Sequence, residues 1–478
     1  MPYLLKGGIV ATFTNKNKPT SYRADVLVEG STITKIAENI DAAPGVEVVD
    51  CTGKWITPGM VDTHRHVFMA VLRGSQCDWL LTEYFVKMTW NIQGALTLEE
   101  TRIGQLAGCL EALHSGVTTL LDHFHAAMAP GHAEAALAAT IASGARVVWC
   151  PARQSQPTRL FPSIEYGKEE ETREWQMQML KEWGKNGGQL TPDGRVTFGW
   201  AYDLVGSGPV EVHQEAIKQG RQAGVALITA HVVQGPRILV WRDAGLLGPD
   251  VVFSHCTELA DHPEPDDEMW AAMKDHGCAI AATPEDELGM AHGNPVAFDA
   301  VRRGVKCGLG VDAISINGGD LFTQMRFALQ WARGRSHEQF HLFGQTPPMY
   351  NEFNSADAFR LATLGGAEAM NMQHLIGTVE VGKKADLVVF DTGSVNLAGI
   401  ADPFKGVVFH ASSEDVELVM VDGEIVKRNG KLTKADWNEV AEELRQRAQD
   451  IRERFPDEKL DEMWKKYYEQ HPGGPQFR

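Results

Sequence analysis

The sequence predicts an α/β protein built on a (β/α)8 TIM barrel. A small β-sandwich domain drawn from both termini and a C-terminal helical tail complete it. Three observations predict this. Eight apolar β-type runs alternate with helix-type stretches through the middle of the chain. Short alternating β-type segments recur at both ends. The last stretch is polar and helix-prone. At 478 residues, length alone suggests about three domains. The patterning reduces them to one barrel (56–373), one sheet domain (1–55 with 374–433) and a tail (434–478).

Taken in order, the first 55 residues read LLKGGIVATF, RADVLVEG, TITKIAE and VEVVDCTG, short strands separated by turns. The barrel strands are expected at 56–64, 116–122, 145–150, 196–200, 226–231, 250–255, 278–283 and 307–312. Between them lie amphipathic stretches such as LTLEETRIGQLAGCLEALHSG and GPVEVHQEAIKQGRQAG. Gly116, Gly144, Gly224, Gly277 and Gly304 stand where helices should stop before the next strand. Residues 151–190 form a long insertion placed to shape a pocket. The sheet texture returns in GTVEVGKKADLVVFD and GVVFHASSEDVELVMVDGEIVKRNG. From 434 the tail is expected to pack on the barrel or on a second subunit, its charges forming a solvated face. Trp175 and Met179, four apart, read as helix-face packing, and Asp320 as a helix N-cap.

Hydrophobic residues are 43% and charged residues 23% of the chain, which excludes disorder, collagen and coiled coil as the main architecture. With 45 Lys+Arg against 63 Asp+Glu, the net charge is −18. Such a surface repels phosphate backbones and anionic membranes, so the expected partner is a small molecule, not a nucleic-acid polymer or a membrane. No run approaches the about 20 apolar residues of a membrane span. The opening MPYLLKGGIVATFTNKNK has neither the apolar core nor the cleavage site of a signal peptide. The 7 cysteines are dispersed without a CxxC pair, as expected of reduced, buried thiols in the cytoplasm.

Polar residues collect at the C-terminal ends of the expected strands, where barrel active sites form. Strand one ends in Asp62-Thr63-His64-Arg65-His66, strand five in His231, strand six in His255 and strand eight in Asp312. Residues two apart on a strand share a face, so His64 and His66 point into the barrel mouth and Arg65 into the wall. A lone buried histidine is usually a hydrogen-bonded core residue. Three imidazoles and a carboxylate at one end of a barrel instead suit Zn²⁺ or Fe²⁺. After strand two, His125 is a candidate to bond the substrate or the shell around the metal. On the loop after strand one, Arg73, Gln76, Asp78 and Trp79 are candidates, with Trp79 able to stack on a planar ring. His292 and Asn294 are expected on the same wall.

PGMVDTHRH, the His231 and His255 strand ends, GLGVDA and the returning GTVEVGKKADLVVFD together resemble the amidohydrolase superfamily. Within it, the chain looks like the branch of cytosine, guanine and methylthioadenosine deaminases and triazine hydrolases. The likeness runs over about residues 1–435. It implies that His64, His66, His231 and Asp312 hold one divalent metal, zinc with iron as the alternative. His255 resembles the histidine that bonds the reacting water or substrate, and Asp312 the base. Two-metal members use a bridging lysine on strand four, and VTFGWAYDL contains none. One position departs: a proton-shuttling Glu three residues after the strand-five histidine is here Gln234. Glu285 and Glu287, after strand seven, are the acids expected to replace it. Gln234, His125, Trp79, Gln76 and Arg73 are left as substrate contacts. The implied activity is hydrolysis of a small N-heterocycle, foremost deamination. Amide or ring opening, dehalogenation and a dehydratase-type lyase reaction are the alternatives that Gln234 leaves open. A non-catalytic scaffold is disfavoured because all four ligand positions are filled. Membership also implies a homo-oligomer.

Overall fold

Eight parallel strands form the barrel of the computed structural model. It describes residues 1–153, 157–159, 165–166, 169–233, 235, 237–261, 264, 267–346 and 348–470. The strands are Met60–Arg65, Val117–Phe124, Arg146–Pro151, a fourth in two pieces (Val196–Phe198 and Trp200–Ala201), Ile228–Val232, Val251–His255, Ala279–Ala282 and Lys306–Leu309. Each pairs with the next in parallel. The fourth is broken at Gly199, where a Cβ would stand 2.4 Å from Cys150 Sγ. Its first piece pairs back with the third strand and its second forward with the fifth. A parallel bridge between Arg65 and Asp312 joins the eighth strand's end to the first. Nearly every strand residue is buried, so these strands are continuous apolar runs instead of alternating ones.

Two expectations are corrected. The run expected as one strand at 56–64 is two. Trp55–Pro58 pairs with Tyr3–Phe13 and Leu387–Phe390 in the terminal sheet, and only Met60–Arg65 enters the barrel. The break falls at Gly59, where a Cβ would lie 2.1 Å from Thr118 Oγ1 and the N–H donates to Asp386 O at 2.8 Å. Of the GVVFH segment, expected in a strand, Gly406–Phe409 lie in the helix Pro403–Phe409 and His410 is its C-cap. Asp402 caps that helix, with Pro403 at its first position.

The terminal sheet has nine strands, five from residues 3–58 and four from residues 387–432; eight follow one hydrogen-bonded path and the ninth, Glu47–Asp50, pairs beside it with Tyr3–Phe13. Around the barrel, helix Leu98–His114 opens on a capping box between Thr97 and Glu100. Helices Pro130–Ser143 and Val210–Ala223 stop at Gly144 (φ 79°) and Gly224 (φ 83°), left-handed positions that favour glycine. Asp320 caps Leu321–Leu342 through Thr323 N. Trp175 and Met179 pack on the core. Two tail helices, Trp437–Arg454 and Asp457–Gln470, lie on the barrel side: Arg454 pairs with Glu100 at 2.7 Å and Lys87 with Asp461 at 2.6 Å. Among the described residues, no helix is long and apolar enough to cross a membrane. Six cysteines are buried and Cys77 is exposed, none in a disulfide.

Candidate metal centre and active-site cavity

His64 and His66 leave the first strand on one face, and the eighth strand's end delivers Asp312 to meet both. Asp312 Oδ1 lies 3.2 Å from His64 Nε2 and 3.1 Å from His66 Nε2. His66 Nε2 is 3.4 Å from His231 Nε2. The Asp312 N–H donates to His64 O at 2.9 Å, and His66 N–H donates to Asp312 O at 3.0 Å. That clasp holds Asp312 at φ 70°, a left-handed conformation that costs energy outside glycine and recurs at functional sites. Arg65 points the other way, buried against Asp62 (2.7 Å) and Gly319 O (2.7 Å).

The three imidazoles present Nε2 because each Nδ1 is engaged behind. His64 Nδ1 lies 2.9 Å from Ser254 Oγ, His66 Nδ1 2.7 Å from His123 O, and His231 Nδ1 3.1 Å from Asp203 Oδ2. Outer partners of this kind orient metal-binding histidines. One ligand atom from each of His64, His66, His231 and Asp312 falls within a 4.8 Å span. Metal–nitrogen bonds of about 2.0–2.1 Å put tetrahedral ligands about 3.3 Å apart, which matches the 3.1–3.4 Å separations seen. His64 Nε2 is buried without a hydrogen-bonding partner. The donor set therefore fits one divalent ion.

The electrostatics agree. Burial holds His64 and His255 well below the ordinary imidazole value, in the neutral form that metal binding requires. Burial also disfavours charge on His231, but Asp203 outweighs it and raises that group. Burial would raise Asp312, yet the imidazoles of His255, His64 and His66 hold it well below the carboxylate range.

The cluster floors a cavity of about 390 Å³. His66, His231, His255 and Asp312 form its polar end, and Leu81, Tyr84, Phe85, Val233 and Met290 supply apolar wall. His255 is fixed by Thr283 Oγ1 at 2.9 Å from Nδ1, and its Nε2 is 3.6 Å from Asp312 Oδ2. His125 lines the cavity, its ring 4.1 Å from that of His66. His292 lines it too, whereas Asn294 faces a different cavity.

The two acids after strand seven do not reach this cavity wall. Glu287 is buried beneath His255, 3.8 Å from its Nδ1, and accepts from Thr283 N at 2.7 Å. Burial pushes it up to about 8. Glu285 bonds Gln324 at 3.0 Å, and burial pushes it up to about 7. Both lie in the helix Pro284–Gly289 instead of a loop. Arg73 pairs with Glu111 at 3.0 Å, Gln76 is buried, Asp78 is exposed, and Trp79 carries Lys87 over its ring at 4.8 Å. None of the four lines the cavity. Gln234 lies outside the described residues.

Several cavity residues were not anticipated. Asp203 follows the fourth strand and touches both His231 and His123 (3.2 Å from Nε2). Its signal was present, a carboxylate at a barrel strand's end. Tyr84, Phe85 and Thr89 come from a helical insertion at 81–95, and Arg237 from the start of the helix Arg237–Asp243. No spacing rule marks them.

The family model described as "Amidohydrolase family" matches residues 55–426. The chain is 26% identical over 441 residues to the 5-methylthioadenosine/S-adenosylhomocysteine deaminase of Thermococcus kodakarensis, spanning 89% of this chain and 94% of that one. Among solved structures, an adenosine deaminase from Xanthomonas campestris with bound zinc superposes with a TM-score of 0.78 at 20% identity, over 94% of this chain and 98% of that one. The zinc complex of atrazine chlorohydrolase from Arthrobacter aurescens gives 0.78 at 19%, over 93% and 100%. These likenesses to solved structures show a shared fold.

Proposed function

The chain belongs to the amidohydrolase family, and we propose that it is a mononuclear metal-dependent hydrolase that deaminates a small N-heterocycle. One observation carries the reading: three Nε2 atoms and a carboxylate converge at the polar end of a cavity whose walls are apolar. His64, His66, His231 and Asp312 would hold one divalent ion, zinc foremost and iron as the alternative. When bound, such an ion supplies Lewis acidity and lowers the pKa of water towards about 7.

The chain's own groups divide the remaining work. Asp312 is the carboxylate within reach of a water in the polar end, and it takes that water's proton. His255, with Nδ1 tied to Thr283, turns Nε2 towards Asp312 Oδ2 and holds the substrate or water there. Glu287 acts behind His255 as a positioning residue, not as a substrate contact. Tyr84, Phe85 and Met290 exclude water from around the ring, and His125 borders it. In this reading the catalytic barrel runs from Met60 to about residue 373, residues 1–58 with 374–433 form the sheet domain that supports it, and the tail follows from 434. The working protein is a cytoplasmic homo-oligomer acting on a small molecule.

The test is ammonia release from aminopurines, aminopyrimidines and aminotriazines by protein reconstituted with Zn²⁺ or Fe²⁺, alongside metal analysis. Protein that binds no divalent metal and releases no ammonia across the panel sinks the reading. Gln234 favours a second one, in which the leaving group is not ammonia. Chloride release from chlorotriazines without ammonia release from the amino panel would establish it.

A further inference from the structure

The four ligands and His255 account for most of the polar end of the cavity, but not for His292. This residue is 5% exposed, and neither ring nitrogen has a protein hydrogen-bond partner. Leaving two buried ring nitrogens unmatched is costly, and buried polar groups without a partner in a protein ask for an explanation. The backbone around it is firmly placed. His292 N–H donates to Glu287 O at 3.1 Å, and Thr257 Oγ1 donates to His292 O at 2.7 Å. Leu81 N–H donates to Met290 O at 3.1 Å, tying the same segment to the opposite wall. The ring meets His255 edge-on with centroids 4.6 Å apart. One ring nitrogen of His292, one of His255 and an Asp312 oxygen lie within 4.8 Å of one another. Whatever reacts beside Asp312 is thus within reach of His292.

The geometry points to His292 as a substrate-binding, specificity-determining residue that donates a hydrogen bond to the ring nitrogen next to the attacked carbon. The inference rests on the hydrolase reading above. A neutral imidazole has one N–H to give. In an aminated heterocycle the atom beside the C–NH2 carbon is commonly a bare sp² nitrogen, an acceptor. A site with a fixed donor there favours rings with that nitrogen over deaza rings with C–H in its place, because the latter strand the buried donor.

The experiment compares wild-type protein with His292→Leu and His292→Asn, each reconstituted with Zn²⁺. Metal content is measured first and should be equal in all three. Inhibition constants are then taken for each aza ring and its deaza counterpart. Wild-type should prefer the aza ring at least about tenfold, a 1.4 kcal/mol difference. His292→Leu should lose that preference and about 100-fold in kcat/KM. His292→Asn, which retains an N–H donor, should recover part of both. Loss of metal in His292→Leu overturns the assignment, because His292 would then be a ligand. Unchanged discrimination in His292→Leu overturns it as well. If wild-type releases no ammonia, the deaminase reading falls on its own. The aza-against-deaza comparison is then read by calorimetric binding of adenine, whose N1 is a bare acceptor, and 1-deazaadenine, and no wild-type preference there overturns this inference too.

Discussion

Asp203 holds His231 at two points. Its Oδ1 accepts the His231 backbone N–H at 2.7 Å, and its Oδ2 lies 3.1 Å from the ring Nδ1. The bonding pattern places the ring proton on Nδ1, which leaves the Nε2 lone pair facing His66 and Asp312. Ring orientation and tautomer are therefore set by a residue that need not touch the metal.

Asp203→Asn should weaken metal binding by about 10- to 100-fold, the usual cost of losing such an outer partner. Competition with a chromophoric chelator at pH 8 measures it. Affinity within twofold of wild-type would mean that the backbone alone places His231.

Gly310 offers a steric test of the same site. A Cβ there would stand 2.7 Å from His64 O, 2.8 Å from His64 N and 3.0 Å from His64 Cβ. Gly310→Ala should push the first strand away from the eighth and disturb the His64–Asp312 clasp. The expected outcome is about 1–3 kcal/mol of lost stability from overpacking, with metal affinity falling in step. Urea unfolding of metal-free protein and zinc titration read the two effects separately.

The ligand set was legible because barrel geometry turns strand ends into a site. His64 and His66 share a face by two-residue spacing, and His231, His255 and Asp312 fall at strand ends or just past them. Asp203 was equally visible in VTFGWAYDL, yet a scan for lysine passes over it. Tyr84, Phe85 and Thr89 are a different case. Their inward facing depends on how the 81–95 insertion docks, a tertiary fact with no period of its own. Arg73 shows the reverse error: its charge suggested substrate, but Glu111 lies 3.0 Å away and takes it. Gly59 hid a boundary, since an apolar run gives no sign of where one strand leaves the sheet and the next enters the barrel.

Glu287 carries a pH signature. Burial raises its pKa from 4.5 to about 8. Between those values the folded protein binds a proton that the unfolded chain releases, so this group costs stability progressively as pH rises through that window. Above about pH 8 the cost is constant. Glu287→Gln removes the titration and keeps an acceptor for Thr283 N. The stability of Glu287→Gln relative to wild-type should therefore grow from pH 5 to pH 8 and level off beyond. Thermal melts of metal-free protein at pH 5, 7 and 9 test this, and a pH-independent difference would place the proton elsewhere.

The tail bears on the cavity from outside. Lys87, on the insertion that supplies Tyr84, Phe85 and Thr89, is 2.6 Å from both Glu83 and Asp461, and Trp90 meets Tyr467 with centroids 5.6 Å apart. Helix Asp457–Gln470 thus backs the wall whose other face lines the cavity. Removing residues from 457 onward deletes both contacts and leaves Arg454 on Glu100 in place. The insertion should then sample more conformations, and substrate must select the closed one. KM should rise about threefold to tenfold, equivalent to about 0.6–1.4 kcal/mol, while metal content stays at wild-type level. Steady-state kinetics with metal analysis separates this from a damaged metal site, in which kcat and metal content would fall together.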